Sequence, residues 1–365
     1  MNTDKIPTAE VLAKANPPEF FDQIYASFQQ AAVHVGETVE RFYKLAGFTI
    51  RLRFAGHALV SPLTSALAHL PQSTEKPDLT ICIWDSTSTQ TPIPPPPWQG
   101  GQLQQRGEIL GFNTDRFLTA FQWGSNALSL LDLQENLGIF WVNNAQLLPY
   151  WESGSPLRTI LHSWLSQRQV QMVHAGAVGL STGGVLLVGK GGSGKSTTAL
   201  CCLDSDLLYA GDDYVAITPQ PAPQVYSLYN TGKKRANDID RLPSLKPIIT
   251  NQERLETEKA LYFLYEHFPE RIIAGFPLKA ILIPRITGGL DTSLTPVSMV
   301  TALTALVPST IKQLPNAGQA ACHLITQVVQ MTPCYSLNLG TDLQQIPRVI
   351  LTLLEDIHGS ESTAC

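Results

Sequence analysis

Apolar spacing and alternation divide this chain into elements before any motif is considered. Residues 18–45 carry a helical pattern, with Phe20, Phe21, Ile24, Tyr25 and Phe28 on a shared stripe. The stretch Phe48-Thr49-Ile50-Arg51-Leu52-Arg53-Phe54 alternates with a period of two and predicts a half-buried strand. Phe48, Ile50, Leu52 and Phe54 would face a core, and Arg51 and Arg53 would face water. Further strands are predicted over 79–84, 117–123, 127–133 and 139–142. The run Pro92-Ile93-Pro94-Pro95-Pro96-Pro97-Trp98 is stiff and polyproline-like. It reads as a ligand for a proline-recognition module or, favoured on composition, as a spacer. Together these elements predict a small α+β domain rich in antiparallel strands. The turn-prone Glu152-Ser153-Gly154-Ser155-Pro156 marks a boundary. A helix over about 157–167 follows, with Pro156 opening it and Leu157, Ile160, Leu161, Trp164 and Leu165 as packing residues. The expected organisation is a domain over 1–152, a second over 153–357, and a flexible polar tail over 358–365.

With 365 residues the chain is long enough for two domains and a large core. The net charge of -5 gives no basic footprint, so no nucleic-acid partner is expected. The six cysteines show neither a C-x-x-C pair nor zinc spacing, and Cys201 and Cys202 read as small core residues. No signal peptide and no membrane span is apparent. The expected location is cytoplasmic.

Chemistry enters at Gly189-Lys190-Gly191-Gly192-Ser193-Gly194-Lys195-Ser196. This fits the G-x-x-x-x-G-K-[ST] phosphate loop without a mismatch, between the apolar run Val185–Val188 and a helix-compatible run opening at Thr197. The glycines let successive N–H groups turn toward one anion, and the helix start adds partial positive charge. Lys195 can reach the outer phosphates, and the Ser196 hydroxyl can ligate Mg²⁺. Residues 189–197 are therefore expected to bind ATP with Mg²⁺, although the base, ATP or GTP, has no linear signature here.

Asp212-Asp213 ends a predicted strand over 207–210, close enough after the loop to return beside it. One carboxylate there can hold Mg²⁺ and the other can take the proton of an attacking hydroxyl; spacing does not say which is the base. His174 precedes the loop on what reads as a hairpin strand beside the loop strand, where it is either a satisfied core histidine or a partner of the aspartates.

At these residues the chain resembles the HPr kinase/phosphorylase catalytic domain, of the superfamily that also holds ATP-dependent phosphoenolpyruvate carboxykinase. The histidine, the loop and the Asp-Asp pair agree in order and spacing. A closer likeness is to HPr-kinase-like serine kinases of bacteria, some of which act in peptide natural-product pathways. It is carried by Ser227–Lys233, Leu242-Pro243, Leu278–Arg285 and Leu337–Gly340. The likeness covers roughly residues 157–355. It implies an α/β fold: a P-loop HPr-kinase/PEP-carboxykinase-like catalytic domain preceded by a small α+β N-terminal domain. It places His174, Lys195, Ser196, Asp212 and Asp213 in the family's functional positions, with Asp212 alongside Ser196 as metal ligand. Lys233 matches a basic residue of the close relatives; Lys233-Lys234-Arg235 is either a solvated face or a source of charge for the moving phosphoryl group. Arg285 is a second candidate, against a plain surface salt bridge.

The expected reaction is transfer of the γ-phosphoryl group of ATP to a serine hydroxyl of a peptide or protein. Two rivals are a small-molecule kinase acting on free serine or a polyol, and a non-catalytic nucleotide-binding regulator. The oligomeric state is open, a homo-oligomer included.

Overall fold

The structure is a computed structural model that describes residues 15–363. The described chain falls into two compact units. The first holds residues up to Ser65, Pro71–Trp164 and Leu314–Asn316; the second holds Ala66–Leu70, Leu165–Gln313 and the residues from Ala317 on.

In the first unit, helix α1 (Pro17–Val35) is capped at its N-terminus by the Asn16 side chain and stopped by Gly36, whose φ is 68°. The expected helix over 18–45 is thus too long. Its second part is strand β1 (Thr38–Leu45), where Val39, Tyr43 and Leu45 point inward at even spacing. Strands β2 (Phe48–Ala55), β3 (Leu79–Asp85), β4 (Phe117–Gln122), β5 (Ala127–Asp132) and β6 (Leu137–Val142) complete a sheet in the order β1-β2-β3-β6-β5-β4. Pairs β2–β3 and β3–β6 are parallel and the other three are antiparallel, so the sheet is mixed with antiparallel pairing in the majority. Phe20, Phe21, Ile24 and Phe28 of α1 pack on it beside Trp84 and Trp141.

Helix α2 (Arg158–Ser166) begins after Pro156, because Leu157 takes a positive φ of 57°. Its Trp164 indole donates to Asn136 Oδ1 at 2.9 Å and meets Phe48 edge-on at 5.2 Å. These contacts tie α2 to the first unit, and the division falls after Trp164 rather than near Glu152.

The second unit is built on a nine-stranded sheet among the described residues. It comprises β7 (Gln171–Val173), β8 (Gly176–Leu180), β9 (Gly183–Leu187), β10 (Leu208–Gly211), β11 (Val215–Thr218), β12 (Gln224–Ser227), β15 (Gly275–Ile286), β16 (Ser293–Pro296) and β17 (Cys334–Leu339). A separate pair joins β13 (Thr231–Lys234) to β14 (Ala260–Phe263). Helices α3 (Lys195–Cys201), α4 (Met299–Gln313), α5 (Gln319–Gln330) and α6 (Gln345–Thr363) cover the large sheet. The strands are apolar on both faces. Val185, Leu187, Ala280 and Leu282 join the core under α3 and α6, while Leu186, Val188, Ile281 and Ile283 join the core under α4 and α5. Period-two alternation with both faces covered defines a mixed α/β layered unit. Helix α6 runs on through His358 to Thr363, so the tail expected from 358 is helical there.

Candidate functional site

Strand β9 delivers the chain to the loop, with Val188 N–H still bonded to Leu282 O at 2.9 Å. Gly189, Gly192 and Gly194 take φ values of 146°, 83° and 109°, which an L side chain would strain. A Cβ on Gly194 would also lie 2.4 Å from Leu339 Cδ1. At Gly191 and Gly192 a Cβ would meet nothing within 4 Å, so the mouth of the loop is clear. Helix α3 then starts at Lys195, which is buried. Its Nζ donates to Gly189 O at 2.6 Å and to Lys190 O at 3.3 Å, turning the ammonium back over the loop.

Asp212 and Asp213 follow β10 directly, and the two carboxylates have different surroundings. Asp212 is buried; its Oδ2 accepts the Lys233 N–H at 3.1 Å, and its Oδ1 is buried with no hydrogen-bond partner. The Ser196 hydroxyl lies against it. The Asp213 side chain is 26% exposed and held from two sides. His174 Nε2 lies 3.2 Å from Oδ1, and Lys233 Nζ donates to Oδ2 at 2.9 Å.

His174 sits in the bend between β7 and β8, not on the strand beside β9. Helix α4 fixes it twice. Its N–H donates to Thr310 Oγ1 at 3.1 Å, and Gln313 Nε2 lies 3.0 Å from Nδ1. Tyr214 OH donates to Gln313 Oε1 at 2.5 Å, so the amide orientation makes Gln313 Nε2 the donor to Nδ1. That leaves the imidazole proton on Nε2, directed at Asp213. Gln313 and Tyr214 were not foreseen, since a lone Gln and Tyr leave no linear signature.

The Lys233-Lys234-Arg235 run is not a solvated face. Lys233 and Lys234 are 5% and 4% exposed, and only Arg235 is open to water. The two lysines of β13 point opposite ways, as neighbours on a strand must. Lys233 meets Asp213, and Lys234 Nζ donates to Thr197 Oγ1 at 2.7 Å. Of the two readings of this run, the burial of Lys234 beside the loop helix favours a source of charge. Arg285, near the end of β15, is exposed and makes no hydrogen bond or ion pair with the aspartates or His174 among the described residues. Instead it borders a cavity of about 870 Å³ that also touches His174, Gly189 and Lys190.

The buried charges pull stability in opposite directions. Burial, and then the neighbouring Asp213, holds Asp212 above its ordinary 3.8. Its ionised form therefore costs stability at neutral pH, a cost that fades as pH falls from the folded pKa toward 3.8. Burial also works to raise Asp213, but Lys233 and His174 outweigh it and hold the carboxyl well below 3.8. Asp213 thus contributes stability that is fully present above 3.8 and lost as pH falls through the depressed value. Burial lowers Lys234 from 10.5, so its charge costs stability at neutral pH until pH rises through the lowered value toward 10.5. At pH 7, Asp212→Asn and Lys234→Met are each expected to stabilise the nucleotide-free protein by about 1 kcal/mol, whereas Asp213→Asn, which removes the carboxylate 2.9 Å from buried Lys233, is expected to cost about 3 kcal/mol. Urea unfolding midpoints check the sign pattern; a uniform loss in all three would refute it.

These residues fit a bound nucleoside triphosphate with Mg²⁺. Among the described residues Lys195 and Lys234 are buried ammoniums without a carboxylate at ion-pair distance, and burial lowers Lys195 too. The Asp212 carboxylate, whose Oδ1 has no hydrogen-bond partner among the described residues, and the Ser196 hydroxyl against that side chain offer two oxygen ligands to a hard cation. Among the described residues no group of three or more His, Cys, Asp or Glu side chains could hold a metal by itself. A cation here would rely on water and phosphate oxygens for its remaining ligands, which suits Mg²⁺. No helix among the described residues is long and apolar enough to cross a membrane.

No family model matches the chain, and no curated protein matches it. Among solved structures it is similar to the Hpr(Ser) kinase/phosphatase from Coxiella burnetii, at 11% sequence identity and a TM-score of 0.30. The match covers 53% of this chain and 99% of that one. At that TM-score the likeness decides neither the fold nor the chemistry, which rest on the residues described above.

Proposed function

We propose that the second unit is an ATP- and Mg²⁺-dependent phosphotransferase that moves the γ-phosphoryl group to a hydroxyl, most directly a serine hydroxyl of a peptide or protein. The observation that carries this reading is the division of labour between the two aspartates. Asp212 presents a buried, unpartnered oxygen beside Ser196, while Asp213 is clamped by Lys233 and His174 and partly open. When bound, ATP with Mg²⁺ supplies the phosphoryl group and neutralises charge on it.

The protein's part is positioning and electrostatics. The loop backbone, Lys195, and Thr197 backed by Lys234 hold phosphates. Ser196 and Asp212 hold the cation. Asp213 accepts the hydroxyl proton on a lone pair that its two clamps, one on each oxygen, leave over. Its depressed pKa makes it a weak base, so the proton moves late, after bonding to phosphorus has drained charge from the hydroxyl oxygen. His174, with its proton on Nε2, and Lys233 keep that carboxylate ionised and aimed. Since Asp213 matches the charge of Lys233, Arg285 is the better candidate to offset charge on the moving phosphoryl group.

The test is mass spectrometry of serine peptides, free serine and polyols after incubation with the full-length protein, ATP and Mg²⁺. A gain of one phosphate that disappears in Asp213→Asn is the expected result. Firm nucleotide binding with no product from any acceptor would sink phosphotransfer.

A further inference from the structure

The cavity beside the loop has a shape and charge that the phosphate chemistry does not require. All its lining belongs to the second unit. Val300, Ala305 and Pro308 of α4 face Ile283 and Pro284 of β15, giving apolar walls. Lys190, Arg285 and Lys312 border them, and none of the three has an ion pair or a side-chain hydrogen bond among the described residues. No lining side chain is a carboxylate. His174 and Gln313, the start of the relay to Asp213, are also in its lining. The part of the loop that touches the cavity is Gly189–Gly191 and Ser193; Lys195, Ser196 and Thr197 of α3 do not line it. The cavity therefore opens on the relay end of the loop rather than over α3. From Val300 to Gln313 the α4 wall spans about 20 Å, the length of about six extended residues. Exposed Met299 and Val300 begin that wall.

We infer that this cavity is the acceptor site, and that its occupant is an extended, acidic peptide segment with an apolar residue next to its serine. The inference rests on the phosphotransfer reading and adds the substrate class to it. The apolar walls take the neighbouring side chain, and Lys312, the bordering cation with no part in the phosphate chemistry, takes a carboxylate further along the segment. The elongated wall suits a peptide over a compact metabolite. With the segment seated, the serine Oγ–P bond forms as the bond from phosphorus to the leaving ADP oxygen breaks, and the hydroxyl proton passes to Asp213.

The test separates acceptor binding from turnover. Fluorescence anisotropy of labelled ten-residue peptides is measured on the full-length protein without nucleotide. One peptide carries leucine beside its single serine and glutamates beyond it; the second replaces glutamate by lysine, and the third replaces leucine by glycine. The first is expected to bind at least about tenfold tighter than either counterpart. Lys312→Glu should erase the preference for glutamate. Ala305→Trp should weaken the first peptide by about tenfold while binding of a fluorescent ATP analogue changes by less than about twofold. Equal binding of the three peptides overturns the inference. So does loss of the ATP analogue in place of the peptide in Ala305→Trp, which would make the cavity a base pocket. Displacement of nothing but a small hydroxy acid would overturn it too. If Ala305→Trp does not fold, the exposed Lys312→Glu change still decides. Peptide binding without any phosphorylated product would contradict phosphotransfer and leave the peptide site standing.

Discussion

In the Asp213→Asn variant, kcat is expected to fall by about a thousandfold while nucleotide affinity changes by less than about threefold. Asparagine keeps the shape of the carboxylate but cannot accept the hydroxyl proton. It also removes the counter-charge of Lys233, whose Nζ stands 2.9 Å from Oδ2, and weakens the acceptor 3.2 Å from His174 Nε2. The nucleotide contacts assigned to Lys195, Ser196 and Asp212 are untouched, so binding should persist. Because the change takes a carboxylate away from a buried lysine, the comparison belongs at low temperature, with near-ultraviolet circular dichroism confirming the fold. Steady-state rates and titration calorimetry together give the split. A variant within about tenfold of wild type in kcat would remove Asp213 from the proton path.

Lys195→Met is expected to fail differently, losing about a hundredfold in nucleotide affinity and at least as much again in turnover. Its ammonium is buried and donates to main-chain carbonyls of the loop, at 2.6 Å and 3.3 Å. No carboxylate bridges it among the described residues, so its charge is available to an anion. Lys195→Arg should not rescue, because a planar guanidinium needs more room than the space over Gly189 that holds a single nitrogen. The same titration and rate measurements check this. Nucleotide affinity unchanged in Lys195→Met would mean that the loop does not cradle phosphate.

Much of the fold could be read from the sequence where apolar periodicity is clean. The strands around Phe48, Leu79 and Ile139 stand where alternation or apolar runs put them. The misreadings have local causes. Thr38–Leu45 alternates weakly, and the adjoining helical stripe hid the change of period at Gly36. Pro156 could not open α2, since the positive φ of Leu157 intervenes. In the site, the loop and Asp212-Asp213 were legible because short-range spacing encodes them. His174 was found but placed on the wrong element. What stayed hidden depends on contacts across 139 residues, such as Gln313 to His174, or on burial that composition argues against. Lys233-Lys234 reads as a charged surface, yet β13 buries both because each finds a polar group waiting, Asp213 for one and Thr197 for the other.

Strand β15 has a bearing on how this chain can be divided. Over Ile281 and Leu282 it is paired in parallel on both edges, by β9 and by β17, and β17 alone accompanies it from Ile283 to Ile286. A fragment ending before Cys334 would leave that edge bare, an apolar ribbon with unpaired main-chain groups that invites self-association. Shortened versions for expression or crystallisation therefore have to run past Leu339, however far that lies from the phosphate loop in sequence.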